Sequence, residues 1–176
     1  MSIPKTMKAL VAYGRGDSRF ESAYPAPECG PNDIILKVEG CGVCAGDLKC
    51  QHGAEMFWGG NGQPAWVEPP FIPGHEFIGV AAAVGENVKG FAVGDRLTAD
   101  QIYPCGECRF CKDGHYWMCQ PHKTFGFFDS VNGGMAEYMR LPKNAVVHKV
   151  PKELPLEKAL LIEPYACGMH AAEQAG

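Results

Sequence analysis

Residues 105–119 read CGECRFCKDGHYWMC, and this stretch sets four cysteines in the spacing C-x2-C-x2-C-x7-C. Gaps of two residues allow three thiolates to surround one ion, and the gap of seven lets the chain return with a fourth. Gly106 and Gly114 supply the backbone freedom that such tight turns require. Four protein ligands leave no open position on the ion, so we predict a structural zinc site rather than a catalytic one. Its expected ligands are Cys105, Cys108, Cys111 and Cys119.

Two other kinds of site compete with zinc for this stretch. Ferredoxins also begin C-x2-C-x2-C, but their fourth cysteine follows after three residues and precedes proline. Here the gap is seven residues and Gln120 follows Cys119, so zinc is favoured over an iron–sulfur cluster. Two disulfides are disfavoured because we expect a reducing compartment. His115 and His122 are near enough to be alternative ligands, but we expect both at the surface because four cysteines complete the shell.

Composition and charge place the protein in a broad class. Of its 176 residues, 46% are hydrophobic and 20% are charged, which is typical of a globular domain with a real core. The formal net charge of -4 provides no basic surface, so nucleic acid is not an expected partner. No apolar run approaches the roughly 20 residues that span a bilayer, and the N-terminal residues lack the apolar stretch of a secretory signal. We therefore expect no membrane association and a cytoplasmic location.

Short strands are predicted throughout the sequence before Pro155, because glycine and proline cut it into apolar, β-branched segments. The predicted strands are 7–13, 33–43, 76–84, 96–99, 134–141 and 145–150. Many short strands with such turns favour a barrel or a sandwich over a parallel sheet. From Pro155 onward the sequence predicts helix, and Pro164 is expected to open a second helical segment through 169–174. The expected fold is mainly β with short helices and C-terminal helices.

A second set of metal-binding residue types is spread along the chain. Cys44 follows a predicted strand, and His75 with Glu76 begins another. Glu163 lies at the break between the two helical segments. One cysteine, one histidine and one carboxylate, with a position left open, form the donor set of a catalytic zinc site. Spacing alone leaves open that Cys44 is a core residue and that His75 with Glu76 is a surface pair.

The motif GHEFIG at residues 74–79, followed by Gly85 and Val88, resembles the zinc signature of the medium-chain alcohol and polyol dehydrogenases. The cysteine stretch resembles the structural-zinc lobe of that family, and GDR at 94–96 and LIEP at 161–164 match it in the same order. The resemblance covers essentially the whole chain. Within the family, the string CAGDLK at 44–49 and the loop 51–71 look most like the erythritol and threitol dehydrogenases.

The resemblance implies a GroES-like, partly open β-barrel for residues 1–154, with the structural-zinc lobe at about 100–122. Residues 155–176 are then the helical start of a connection to a Rossmann domain. No G-x-G-x-x-G motif follows a predicted strand here, so NAD or NADP is expected only with that missing domain. The expected protein is the catalytic domain of a dehydrogenase with two zinc sites, inactive alone, that oxidises a small polyol or secondary alcohol by hydride transfer. Homo-oligomers are compatible with the family.

The resemblance assigns the catalytic zinc to Cys44, His75 and either Glu76 or Glu163. Cys167 is an alternative donor in the second helical segment. Asp47 matches the family's carboxylate that orients the ligating histidine, and a helix N-terminal cap after Cys44 is its structural alternative.

Two positions depart from the family pattern. Gly46 stands where the family has Ser or Thr, and Lys49 stands where it often has His, so no side chain is assigned to proton relay. The loop 51–71 is expected either to wall the substrate pocket or to pack against the barrel or a partner subunit. The alternative to an enzyme is a free-standing zinc-binding module with a structural or regulatory role and no catalysis. Such a module needs only the four-cysteine site.

Overall fold

Short β-strands and short helices alternate along the chain, of which the computed structural model describes residues 3–176. The strands are β1 (Thr6–Gly14), β2 (Asp17–Pro25), β3 (Ile34–Cys41), β4 (Phe77–Val84), β5 (Arg96–Ala99), β6 (Ile102–Tyr103), β7 (Lys123–Thr124), β8 (Tyr138–Leu141) and β9 (Val147–Lys149). The helices are α1 (Ala45–Gln51), α2 (Glu55–Trp58), α3 (Arg109–Lys112), α4 (Leu156–Ala159) and α5 (Ile162–Ala175), with a 3₁₀ turn at Tyr116–Met118. This arrangement confirms the expected fold, mainly β with short helices.

The central sheet has five antiparallel strands in the order β8-β3-β4-β5-β9. β1 and β2 form a separate hairpin, and β6 pairs with β7. Two isolated bridges join β1 to later parts of the chain, from Ala9 to Ala136 and from Ala12 to Phe71. Within residues 3–176 the sheets do not close into one continuous barrel. The expectation of a partly open barrel is therefore confirmed.

The largest core cluster combines strand side chains with an aromatic run at 125–128. Leu36 of β3, Phe77 of β4 and Leu97 of β5 are fully or almost fully buried. All four residues of β5 are buried, since β4 and β9 pair with β5 on either side. Burial of one such large apolar side chain contributes about 1.5–3 kcal/mol to folding. The core therefore fixes the central strands, and through them the loops at their ends.

The pairing of β3 with β4 determines which loops meet. The ladder runs to Cys41 opposite Phe77. One step further, the Gly42 N–H donates to the Glu76 carbonyl at 2.8 Å. Residues 42–44 and 74–76 therefore lie at the same end of this strand pair.

The two C-terminal helices differ from the prediction in their bounds. α4 ends at Ala159, and α5 begins at Ile162, so Pro164 lies in the first turn of α5 instead of opening it. Proline is tolerated there because the first N–H groups of a helix have no intrahelical partner. Within residues 3–176, no helix combines the length and the apolar character needed to cross a membrane.

Several strands also differ from the prediction, and the two-residue strands β6 and β7 were not predicted. The predicted strands 134–141 and 145–150 are shorter, since β8 begins at Tyr138 and β9 covers only Val147–Lys149. β2 was not predicted, because its residues are exposed or half-buried and carry no apolar alternation. Backbone pairing with β1 holds β2 in place, and a hydrophobic pattern cannot detect such a strand.

Leu97→Ala tests the position of β5 in the core. We expect the free energy of unfolding, measured by urea denaturation, to fall by about 2–5 kcal/mol because paired strands on both sides limit collapse of the cavity. Leu48→Ala is the matched control, since Leu48 is 53% exposed. A surface change of this kind alters stability by about 0.5 kcal/mol or less. Equal losses in the two variants would contradict the burial of Leu97.

Candidate metal centres

The cysteine stretch folds into a lobe in which four sulfur atoms converge. The short helix α3 begins directly after Cys108, and the 3₁₀ turn leads into Cys119, so two helical turns carry the chain around the sulfur atoms. His115 and His122 are exposed, as predicted. The sulfur atoms that lie within 4.8 Å of one another are those of Cys105, Cys108, Cys111 and Cys119.

Backbone amides of the lobe point at these sulfur atoms. The N–H groups of Glu107 and Cys108 donate to Cys105 Sγ at 3.4 and 3.3 Å, and these bonds lower the pKa of the Cys105 thiol. The N–H groups of Gln120 and Cys111 lower the pKa of Cys108 to about 6. Burial raises the pKa of Cys111 to about 12, and metal binding releases the proton of such a thiol. The amides favour the thiolate, which is the form that binds a metal.

Side-chain hydrogen bonds fix the lobe to the central sheet. Asn144 Nδ2 donates to the Cys105 carbonyl at 3.2 Å. Tyr116 Oη donates to Asp100 Oδ2 at 2.5 Å, and His148 Nε2 of β9 lies 2.7 Å from the other oxygen of the same carboxylate. The lobe therefore has a defined position beside β5 and β9.

A second cluster forms where the loops after β3 and before β4 meet. The donor atoms of Cys44, His75 and Glu76 lie within 4.8 Å of one another. Cys44 is the N-cap of α1, and its Sγ accepts the Gly46 N–H at 3.4 Å. His75 is buried, whereas Cys44 and Glu76 are half-buried, so one side of the cluster is accessible. Burial, more than the neighbouring charges, raises the pKa of the Glu76 carboxyl.

Asp47 connects the start of α1 to His75. Its Oδ2 accepts the Cys44 N–H at 2.9 Å, so Asp47 completes the capping box from the third helical position while Cys44 is the N-cap. Asp47 therefore caps the N-terminus of α1 with its side chain, as the structural alternative expected, and it does so from three residues after the N-cap Cys44. Asp47 Oδ1 lies 3.7 Å from His75 Nδ1, and both atoms are buried without a hydrogen-bond partner among residues 3–176.

The facing atoms Asp47 Oδ1 and His75 Nδ1 indicate whether the second cluster fits a metal. When Nδ1 faces a carboxylate, Nε2 is the nitrogen left to bind a metal, and the carboxylate fixes the tautomer and the ring orientation. Thiolate, imidazole and carboxylate together are donors that suit zinc. The residues of the second cluster therefore fit a zinc ion with an open position. The four thiols of the lobe fit a zinc ion whose four positions are all filled by protein.

Glu163 lies beside the second cluster and outside the group of three donors. Its Oε1 accepts the Gln101 Nε2–H at 2.7 Å and the thiol of Cys167 at 3.3 Å. The charge of Glu163 is one of the smaller causes of the raised pKa of Glu76, so the two carboxylates are neighbours. Of the two carboxylates named from the sequence, the structure brings Glu76 to the donors and holds Glu163 next to them.

The loop 51–71 packs on an aromatic cluster behind His75. The Phe57 and Trp66 rings lie 5.3 and 5.2 Å from Phe127, and Phe127 lies 5.6 Å from the His75 ring. Trp58 lines an apolar cavity of about 330 Å³ together with Phe127 and Asp47. These contacts confirm that the loop packs against the rest of the domain. Trp58 of the loop also forms part of the wall of the cavity.

Three residues near the second cluster were not identified from the sequence. Gly42 leaves the space that the Glu76 carboxylate occupies, and a Cβ there would overlap it. Gln101 binds Glu163, and Phe127 contacts His75. The aromatic run at 125–128 was the one visible signal, because large buried rings often surround a site.

Comparisons with known proteins agree on one kind of domain. The family model of the alcohol dehydrogenase GroES-like domain matches residues 30–152. Erythritol/L-threitol dehydrogenase of Mycolicibacterium smegmatis is 46% identical over 176 residues, which covers 98% of this chain and 48% of that protein. Sorbitol dehydrogenase of Bacillus subtilis is 36% identical over 171 residues and covers 97% of this chain and 46% of its own length. The chain thus spans about half the length of the curated relatives it matches.

Solved structures show the same architecture. A protein of Sinorhizobium meliloti assigned as a zinc-binding dehydrogenase, solved with NADP, has a TM-score of 0.84 and 31% identity, covering 97% of this chain and 46% of that one. The 2R,3R-butanediol dehydrogenase of Bacillus subtilis has a TM-score of 0.79 and 27% identity, covering 96% and 47%. These likenesses confirm the expected GroES-like fold.

Gly42→Ala tests how Glu76 is positioned in the second cluster. Gly42 does not have a left-handed backbone, so alanine fits its conformation and only the Glu76 carboxylate stands in the way. We expect zinc affinity at this cluster to fall about 10–100-fold, measured by competition with a chromogenic chelator. Gly14→Ala is the control, because a Cβ at Gly14 meets nothing within 4 Å. Equal zinc affinity in both variants would show that Glu76 does not depend on Gly42.

Proposed function

Because the chain belongs to the family of alcohol dehydrogenase GroES-like domains, we propose that it is the catalytic domain of a zinc- and nicotinamide-dependent dehydrogenase. The proposed reaction is oxidation of a small polyol or secondary alcohol by hydride transfer. The observation that carries this proposal is the presence of two separate donor clusters. One is a set of four thiols that a single ion would fill, and the other is a set of three mixed donors beside an accessible space.

Each residue of the second cluster has a proposed role. Cys44, His75 and Glu76 hold the catalytic zinc, and a zinc ion supplies a Lewis acid that polarises the oxygen of the substrate. Asp47, whose carboxylate faces His75 Nδ1 at 3.7 Å, orients the imidazole ring. The Gly46 N–H donates to Cys44 Sγ and so helps to hold the direction of this side chain. The loop that carries Trp58 excludes water from one side of the site, since its rings fill the space behind His75.

The substrate class is proposed from the relatives. The names of two relatives, at 46% and 36% identity, specify erythritol, L-threitol and sorbitol, which are all polyols. Gly46 provides no hydroxyl and Lys49 is exposed, so this chain offers no side-chain relay there and a hydroxyl of the substrate or water carries the proton. A small polyol with adjacent hydroxyls is therefore the proposed substrate.

The nicotinamide is proposed to come with a further domain. The relatives are about twice as long as this chain, and one structural relative was solved with NADP. Residues 155–176 are proposed as the start of the connection to that domain, after a catalytic domain over 1–154. The cytoplasm is the proposed location, because the lobe cysteines must remain reduced to bind a metal.

Metal content per chain tests the two-site proposal. We expect two zinc ions in the parent, measured by elemental analysis and native mass spectrometry. Cys44→Ser and Cys111→Ser should each retain one, because each removes a thiolate from a different cluster. Cys29→Ser is the control, since Cys29 lies outside both clusters, and it should retain two. A single zinc that Cys44→Ser leaves unchanged would support a non-catalytic module, and iron in place of zinc would contradict the assignment of the lobe.

Activity tests the need for a second domain. We expect this chain alone not to reduce NAD or NADP with erythritol or threitol, because no dinucleotide-binding turn is present in its sequence. Fusion to the C-terminal half of the Mycolicibacterium smegmatis relative should restore reduction, followed by nicotinamide absorbance. The same fusion with Cys44→Ser is the inactive control. Reduction of NAD or NADP by the unfused chain would contradict the proposal that the domain is inactive alone.

A further inference from the structure

Gln101 connects the central sheet to the first turns of α5. It lies between β5, which ends at Ala99, and β6, which begins at Ile102. Its Nε2 donates to Glu163 Oε1 at 2.7 Å and lies 3.7 Å from Cys167 Sγ. The Cys167 thiol also donates to Glu163 Oε1, so the three side chains form one polar group beside the second cluster.

The backbone around Gln101 is held from two directions. The Gln101 carbonyl accepts the Phe125 N–H at 2.9 Å, and the preceding Asp100 N–H donates to the Val146 carbonyl at 2.9 Å. The amide therefore extends from a fixed segment. A side chain on such a fixed segment can hold a partner at a defined distance.

α5 has few other constraints on its position. Ile162 packs against the small cluster of Ile78 and Val150, but the helix from Tyr165 onward is exposed. Among residues 3–176, every side-chain hydrogen bond that ties α5 to the rest of the chain comes from Gln101. Glu163 and Cys167 thus depend on one amide for their polar contact to the sheet.

Glu163 and Cys167 are both of the residue types that bind zinc. A catalytic zinc site keeps one position open, and a fourth protein donor in that position would close it. Glu163 and Cys167 lie beside the Cys44–His75–Glu76 cluster without belonging to it, so they are donors that need restraint.

We propose that Gln101 is a positioning residue that holds Glu163, and through it Cys167, outside the Cys44–His75–Glu76 cluster. The cluster then keeps three protein donors and one position for substrate. This inference rests on the proposed zinc site at that cluster. It identifies the Gln101 amide as the group that keeps one position of that site open. A purely structural role for Gln101, which only docks α5, has the opposite consequence, since loss of docking moves Glu163 away and leaves the site open.

The experiment loads the chain with cobalt(II), whose visible spectrum reports the number of ligands, and titrates it with azide as an external ligand. In the parent, azide should bind the second cluster and change the spectrum. Gln101→Met keeps the side-chain length but removes the donor, and we expect it to bind azide at least about tenfold more weakly because Glu163 fills the open position. Gln63→Met, at an exposed glutamine, should behave as the parent does.

A double variant separates this effect from misfolding. Gln101→Met with Glu163→Ala should regain azide binding, because the carboxylate that closed the site is gone. Azide binding by Gln101→Met equal to that of the parent would overturn the role of Gln101 while two cobalt ions per chain leave the proposed function intact. A parent chain that holds only one cobalt ion, in the four-cysteine lobe, would overturn the proposed function and this inference together.

Discussion

The antiparallel pairing of β3 with β4 brings together two segments that lie about thirty residues apart in the sequence. Cys44 follows β3, and His75 with Glu76 precedes β4, so a ladder that ends at Cys41 opposite Phe77 delivers three donors to one place. Buried side chains on both strands stabilise this ladder. A one-residue change in register would turn every side chain of a strand to the other face, and the second cluster would not form.

In the lobe, by contrast, the metal site stabilises the surrounding chain. Trp117 and Met118 are 45% and 51% exposed, so the lobe buries little apolar surface of its own. Its order comes from backbone amides that face the sulfur atoms and from the bonds of Asn144 and Tyr116 to the sheet. For such a segment, the free energy of metal binding becomes folding free energy. One cluster therefore depends on the scaffold, and the other supports part of it.

Local patterns in the sequence were enough for the lobe and for most central strands. Four cysteines within fifteen residues have few ways to arrange themselves, and 96–99 is a short strand that follows the turn signal Gly94-Asp95. The contact of Gln101 with Glu163 joins positions 62 residues apart, and no local pattern encodes it. β2 was not predicted because its side chains are exposed or half-buried and show no apolar alternation.

The missing side chain at Gly42 limits how this cluster can be redesigned. A Cβ at that position meets the carboxylate, the Cδ and the Cβ of Glu76, so the two positions form one steric unit although they lie on different loops. An engineer who wants a bulkier residue at 42 must first exchange Glu76 for a donor of another shape. Libraries that vary the two positions independently will consist mostly of combinations that cannot pack, whereas libraries that vary them as a pair sample the accessible donor sets.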